Sequence, residues 1–183
     1  MKQNVILSIQ GRQLYEDQEP EVIELITEGT MEEKPDGWCI SYEESSLTGL
    51  EGVTTTFFIQ PGKITLTRTG TLRSEMVFQL GVLHESLYQM EFGSLMISVC
   101  AKVVDYELSA QGGTVDLVYG IDIEHTGGGL VDYHLEIRSK YISKDPDCLT
   151  VPDLFTFMYL YPVGCRFVFY RDWIYCKSAF RSP

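Results

Sequence analysis

Residues 115–124 read VDLVYGIDIE, and apolar side chains occupy nearly every second position of this stretch. Residues 131–138, VDYHLEIR, repeat the alternation with charged or polar side chains in between. Successive side chains of a β-strand point to opposite faces of its sheet, so a period of two is typical of a strand with one buried face. Both stretches are therefore predicted to be half-buried strands.

The same alternation extends outward through most of the chain. Residues 72–80 show it clearly, and Tyr88, Met90 and Phe92 continue it. Turn signals such as residues 34–37, KPDG, separate the runs. Weaker or longer apolar runs lie at residues 5–10, 22–28, 38–42, 53–60, 64–68 and 95–106. About ten short strands are expected, and strands joined by such close turns pair antiparallel.

Strands with one apolar face can bury that face in a sandwich of two sheets or in a sheet that closes on itself. Closure also removes the exposed edges that an open sheet of this size would present. We therefore expect an all-β fold, a closed antiparallel barrel of about 8–10 strands. Such a barrel is either filled by its own side chains or open for one small ligand.

Composition limits the classes of partner. The 183 residues include 14 basic and 26 acidic side chains, a net charge of −12, which argues against nucleic acid and anionic membranes as partners. No apolar run reaches the roughly 18 residues of a membrane span, and no secretory signal is visible, so a cytoplasmic location is expected. Five cysteines without a CxxC pair predict neither a disulfide framework nor a metal site, and Cys39 and Cys100 are expected to be buried in strands.

The composition changes near residue 140. Residues 1–140 carry 9 basic and 22 acidic side chains, whereas residues 141–183 carry 5 and 4 and hold 11 of the 22 aromatic residues. We expect a barrel domain over 1–140 and an aromatic-rich C-terminal extension over 141–183. The extension is either a β-hairpin that turns at residues 162–164 or a poorly ordered addition. Exposed aromatic side chains promote self-association, so homo-oligomers through the extension are expected.

Several stretches resemble a known family. ISYEE at 40–44, TGL at 48–50, VTTT at 53–56 and RTG at 68–70 resemble the YwiB-like family of bacterial proteins. Further matching positions are Gly62, Met76, Phe78, Gly81, Tyr88, Phe92 and Gly93. The resemblance covers about residues 3–140 and implies a calycin-type, lipocalin-like barrel in the bacterial cytoplasm. It implies no catalytic residue, and lipid transport is not carried over, because DGW at 36–38 lacks the GxW spacing of true lipocalins.

Arg68 falls on the same parity as the apolar residues of its run, which places its guanidinium on the apolar face near one end of the barrel. A buried arginine needs a partner, and its planar fork suits a carboxylate or a phosphate. It is therefore either an anion anchor in a ligand cavity or part of a structural ion pair, unless it reaches out to solvent. Tyr42, Tyr88 and Tyr119 also fall on apolar parities. They either line the same cavity or pack in the core with satisfied hydroxyls.

Metal ligation has one candidate pair. His134 and Glu136 share a strand face, which could place two ligands on one metal ion, but the charged residues beside them are typical of a solvated outer face. His84 and His125 are both predicted to lie in connections between strands. No third ligand is identifiable, so no metal and no cofactor is predicted.

Catalytic signatures are missing from the sequence. It contains no GxSxG, no phosphate-binding loop and no GxGxxG after a strand. Glu43 and Glu44 must point to opposite faces of a continuing strand, so they cannot share a proton, and they are expected to run into an acidic loop. No catalytic residue is predicted.

These observations leave two main hypotheses. The first is a small binding protein that holds a small, anionic ligand inside the barrel through Arg68 and the tyrosines. The second is an interaction module with a filled barrel, whose acidic surface or aromatic extension meets a protein partner. An internal cavity of at least ~300 Å³ that contains Arg68 would favour the first hypothesis, and a solid interior the second. An enzyme with an unrecognised site is the third alternative.

Overall fold

The structure is a computed structural model that describes residues 2–14, 19–125 and 128–140. The predicted C-terminal extension lies outside the described residues, and the domain boundary at residue 140 stays a prediction. Ten strands and one short 3-10 helix, Ser46–Thr48, account for almost all of the described chain. The strands are β1 (Lys2–Leu14), β2 (Glu21–Lys34), β3 (Gly37–Glu43), β4 (Val53–Gln60), β5 (Lys63–Gly70), β6 (Ser74–Phe78), β7 (Leu83–Met90), β8 (Gly93–Ser109), β9 (Gly112–Ile123) and β10 (Gly128–Ser139).

The strands form one antiparallel sheet in the order β6-β5-β4-β3-β2-β1-β10-β9-β8-β7. Every strand pairs with its neighbours along the chain except β6 with β7, and β1 also pairs with β10 and so joins the two halves. The order leaves β6 and β7 at the two margins of the sheet. Within the described ranges, no helix has the length and apolar character needed to cross a membrane.

The two margins meet along a seam. Arg73 and Gln89 exchange two backbone hydrogen bonds of 2.9 and 2.8 Å at one end, and the Gly81 amide donates to the Ala101 carbonyl over 2.8 Å at the other. Between these two points, no backbone ladder joins β6 to β7 among the described residues. The predicted antiparallel barrel is confirmed as a nearly closed one. Its calycin-type relationship remains an implication of the family resemblance.

The inward faces of the strands form one apolar core, as the alternation predicts. Phe57 and Phe78 are its largest fully buried side chains. The two clear stretches of the sequence contribute Val115, Leu117, Tyr119, Val131, Leu135 and Ile137 to this core. Leu80 and Phe92 share the apolar parity but are exposed, Phe92 by 95 %. The prediction is wrong for these two because the strands end before them and the chain turns.

Short turns set the register in which neighbouring strands pair, and the turn between β2 and β3, which ends at Gly37, is an example. Lys34 pairs with Gly37 across a two-residue connection, so the predicted KPDG turn is confirmed. The backbone of Gly37 has a positive φ of 156°, and a Cβ there would collide with the carbonyl of Ile59 on β4. Glycine is therefore required by both conformation and space.

Two further sequence predictions need correction. Cys39 and Cys100 lie in β3 and β8, but on the parity opposite to the core, and both are partly exposed instead of buried. His84 lies within β7 and not in a connection between strands. The apolar alternation around residue 84 is weak because Leu83 and Leu87 point to the outside, where they are exposed.

Candidate functional site

A cavity of about 220 Å³ lies inside the barrel, near the end that carries the β3–β4 connection. Its wall is mostly apolar and includes Ile9, Leu25, Phe57, Leu66, Leu117 and Val131. The volume falls below the ~300 Å³ at which pockets for drug-sized ligands begin. The interior is therefore neither packed solid nor as large as the ligand hypothesis required.

A row of polar side chains crosses four strands beside this cavity, and we call it the polar row. Tyr42 on β3 is paired with Thr55 on β4, Thr55 with Arg68 on β5, and Arg68 with Ser74 on β6. All four side chains share the parity of the inward-facing residues of their strands. Directly opposed residues hold their Cβ atoms about 4.5–5.5 Å apart, so the members of the row are mutual neighbours.

Glu44 caps one end of the polar row. It follows the last residue of β3, is only 8 % exposed, and is tied to β4 by a 2.8 Å bond from its amide to the Val53 carbonyl. Its Oε1 accepts hydrogen bonds from Tyr42 at 3.1 Å and Thr55 at 2.6 Å, and its Oε2 accepts one from Thr48 at 2.9 Å. Three hydroxyl donors thus compensate the buried carboxylate. The prediction of an acidic loop is wrong for Glu44.

Two buried polar atoms in the row lack a hydrogen-bond partner among the described residues. They are Nε of Arg68 and Oγ of Ser74, whereas the buried Tyr133 hydroxyl interacts with the hydroxyl of Tyr42. Each of the two unpaired atoms can donate a hydrogen bond, and a buried donor left unpaired costs roughly 1–3 kcal/mol. Arg68 also forms no ion pair within the described chain, so the structural ion pair considered from the sequence is not found there.

The tyrosine hydroxyls of the site are neutral. Burial raises the pKa of Tyr42, and the nearby Glu44 carboxylate raises it further, while the positive charge of Arg68 opposes both. Burial also raises the pKa of Tyr133 well above its ordinary value, with Tyr42 adding to the effect and Arg68 again lowering it. The guanidinium is thus close enough to act on both hydroxyls electrostatically, and both remain protonated donors at neutral pH.

The structure brings together three of the four predicted site residues. Arg68, Tyr42 and Tyr119 line the cavity, and the Tyr119 ring packs on Phe78 with ring centroids 4.6 Å apart. Tyr88 is not among the cavity-lining residues. It lies on β7 beside the seam, where it packs against the apolar core and is partly exposed.

Sequence reasoning missed Glu44, Ser74 and Tyr133. Ser74 and Tyr133 carried a usable signal, because each shares the parity of apolar neighbours in its own strand. Glu44 carried a weaker signal, because it shares the parity of Ile40 and Tyr42 but follows the end of β3, where the side-chain direction also depends on how β3 joins β4.

The candidate metal pair does not converge. His134 Nδ1 lies 2.6 Å from Asp116 Oδ1, and Glu136 is held by Arg138 over 2.7 Å. In the described ranges, no three side chains of metal-binding type cluster. His125 lies in the turn after β9 as predicted, whereas His84 has a buried Nε2 without a described partner but does not line the cavity.

Within the described residues, fold and site together define a nearly closed, ten-stranded antiparallel barrel protein with a small, partly polar cavity. The chain belongs to the family described as "Domain of unknown function (DUF1934)", which it matches over residues 7–137. It is similar to the uncharacterized beta-barrel protein YwiB of Bacillus subtilis (strain 168), with 26 % identity over 124 residues, 67 % of this chain and 86 % of that protein. The resemblance read from the sequence is thereby confirmed.

The fold comparison agrees with this assignment. The crystal structure of the ywiB protein from Bacillus subtilis superimposes with a TM-score of 0.68 and 22 % identity, over 76 % of this chain and 94 % of that one. At this level of identity, the likeness establishes the shared barrel alone. Any ligand has to be argued from the side chains of this chain.

Proposed function

We propose that the protein binds one small molecule inside the barrel, at the polar row. The observation that carries the proposal is the buried Arg68 Nε, a donor without a described partner on a residue that lines the cavity, with the unpaired Ser74 hydroxyl directly opposite Arg68 on β6. Native proteins pair nearly all buried polar groups, so these unpaired donors point to an acceptor supplied from outside the chain. The proposal includes no chemical step and places the protein in the cytoplasm, as the composition favours.

The cavity sets the size and character of this molecule. A volume of about 220 Å³ suits a compound below drug size. Most of the wall is apolar, and its polar part includes Tyr42, Glu44 and Arg68 together with Arg12, Gln13 and Glu21. The compound should therefore combine an apolar body with one polar head group. Burial of the body against Leu66 and Leu117 would supply most of the affinity, and the row would fix the orientation.

Gly11 offers a way to fill the cavity without disturbing the fold. It lines the cavity from the inner face of β1, and an added Cβ would meet its nearest described atom, Cδ2 of Tyr133, at 4.0 Å. Gly11 is not among the glycines with positive φ, so a branched side chain is tolerated there. A Gly11→Val variant should keep the barrel intact while occupying the space that a ligand needs.

The test compares small molecules that co-purify with the native full chain and with Gly11→Val, extracted and identified by mass spectrometry. We expect a compound that the native protein retains and the variant does not, while the variant unfolds at an equal or higher temperature. Identical extracts from the two proteins would contradict the proposal. It would also be contradicted if the native protein retains no compound that Gly11→Val could lose.

A second candidate function is supported by the surface around the seam. Leu83 and Leu87 on the outer face of β7, Leu80 before it and Phe92 after it are all exposed apolar side chains. An unpaired strand margin beside apolar side chains can accept an extended segment of a partner protein. Sedimentation analysis compares the association state of the native protein with that of a Leu83→Lys, Leu87→Lys double variant. Val22→Lys on β2 is the control away from the seam. The candidate would be supported if the native protein and the control form complexes and the double variant does not.

A further inference from the structure

The proposed cavity can be assigned a class of ligand from the charges that face it. Arg68 is the cation of the polar row and Glu44 is its anion, and Arg12 and Glu21 add one charge of each sign to the lining of the cavity. Arg68 and Glu44 do not form an ion pair within 4.0 Å, and Glu44 is already bonded by three hydroxyl groups. Arg68 is partly exposed, but its Nε is buried without a hydrogen-bond partner, so a ligand that accepts from this nitrogen would remove the cost of the unpaired donor.

We infer that the ligand is a small apolar monocarboxylic acid whose carboxylate is bound by Arg68, Ser74 and Tyr133. The inference rests on the proposed function and specifies it. A carboxylate only accepts hydrogen bonds, and its two planar oxygens offer about four acceptor sites. The unpaired donors of Arg68 and Ser74, the first of them on a cation, match this acceptor pattern, and the protonated Tyr133 hydroxyl lines the same cavity as Arg68.

The same charges disfavour a phosphate ester. A phosphate monoester carries about 1.5 to 2 negative charges near neutral pH. The lining carries two cations, Arg12 and Arg68, and two anions, Glu21 and Glu44, so it has no surplus positive charge for a dianion. A carboxylate monoanion at Arg68 meets less repulsion from Glu44, so Glu44 should act as a filter against dianions.

Ser74 provides independent support. It is 7 % exposed, lies directly opposite Arg68 on β6, and its hydroxyl has no partner in the described chain. A serine in an apolar barrel wall with no internal bond is explained if its hydroxyl binds the same group as the arginine beside it. Tyr133 lines the cavity from β10 and interacts with Tyr42 of the polar row.

The test uses three probes with six carbon atoms each, namely hexanoate, hexanamide and hexyl phosphate, titrated calorimetrically into the full-length protein. We expect hexanoate to bind at least about tenfold more tightly than either of the others, since a bond to a charged group is worth that much. Arg68→Met should weaken hexanoate binding by about tenfold or more, and Ser74→Ala and Tyr133→Phe by several-fold. Arg73→Met, on an exposed neighbouring arginine, is the matched control and should have no effect.

The other outcomes separate the two levels of the proposal. Equal binding of hexanamide or hexyl phosphate would overturn the monocarboxylate inference and leave the cavity function standing. Binding of none of the probes, together with identical extracts from the native protein and Gly11→Val, would overturn both.

If Arg68→Met does not fold, Arg68→Lys retains the charge without the planar fork, and the three-probe comparison on the unmodified protein still decides. Glu44→Gln should selectively strengthen hexyl phosphate binding if Glu44 is the filter.

Discussion

Two adjacent glutamates of this chain have opposite environments. Glu43 is the exposed last residue of β3 and accepts one hydrogen bond, from Thr54 at 2.8 Å. Glu44 turns inward and accepts three. Because neighbouring side chains of a strand point to opposite faces, one position along the chain decides whether a carboxylate is solvated or becomes part of an internal polar network.

This contrast makes a stability prediction. Glu44→Gln replaces an acceptor oxygen with an amide nitrogen that faces hydroxyl donors, so it should lower the free energy of unfolding by about 1–3 kcal/mol. Glu43→Gln has the same chemistry at an exposed position and should change it by less than about 0.5 kcal/mol. Urea denaturation followed by circular dichroism measures both values. Equal effects of the two substitutions would show that the bonds to Glu44 do not stabilise the fold.

The buried tyrosines predict a loss of stability at alkaline pH. The pKa values of Tyr42 and Tyr133 are raised in the folded protein above the ordinary value of 10.0. Below about pH 10, folded and unfolded chains both keep these protons, so the full contribution is present. Above it, the unfolded chain releases protons that the folded chain retains, and the free energy of unfolding should fall by up to about 1.4 kcal/mol per pH unit for each tyrosine.

Urea denaturation at several values between about pH 9 and pH 12 tests this slope. The Tyr42→Phe, Tyr133→Phe double variant should start from a lower stability, since Tyr42 no longer donates to Glu44. Its stability should nevertheless fall less steeply with pH than that of the parent protein. Parallel slopes for the two proteins would contradict the assignment of the alkaline transition to these hydroxyls.

At the scale of residues, the sequence predicts the members of the site that sit within regular strands. Arg68, Tyr42 and Tyr119 line the cavity because their parity alone places them on the inner face. Parity also places Tyr88 inside, but it cannot specify which part of a barrel interior a strand faces. Glu44 lies just past a strand end, where the side-chain direction depends on the path of the connection.

At the scale of elements, the two-residue alternation of the sequence predicts the ten strands. It does not predict where the seam between β6 and β7 lies. Arg73 and Gln89 form backbone hydrogen bonds with each other across the seam. In β6 and β7, the backbone amides of residues with odd numbers therefore point toward the seam. Amides two residues apart point to the same side of a strand, so the even-numbered amides face the paired strands β5 and β8. No local pattern marks which two of ten similar strands will be left without a shared ladder.

Hydrogen exchange should reveal the seam. The amides of Glu85 and Leu87 in β7 and of Val77 in β6 point into it and have no described partner. They should exchange at least about tenfold faster than the amides of Ser86 and Met76, their immediate neighbours, which belong to regular ladders. Exchange measured amide by amide with NMR provides the comparison within the same strands. Equal protection of odd and even amides would mean that β6 and β7 are paired in solution.

At the scale of the whole molecule, the barrel is complete within the described residues. β10 pairs with β1 up to Ser139 and with β9 up to Arg138, so the last strand has a ladder on both sides. The Lys140 amide then donates to the Asn4 carbonyl over 3.1 Å, and its ammonium group lies 2.8 Å from Glu28. The sheet order, the core and the cavity therefore all arise from the part of the chain that the alternation covers.

This completeness predicts that a chain ending at Lys140 folds on its own. It should show one cooperative urea transition, followed by the fluorescence of Trp38, its single remaining tryptophan. It should also be more soluble than the full chain, because it loses 11 aromatic residues and keeps 22 acidic side chains against 9 basic ones. A chain ending at Tyr133 is the control, since it removes half of β10 from both of its ladders and should not fold. A shorter chain to Lys140 that melts without cooperativity would contradict this prediction and show that the fold depends on residues 141–183.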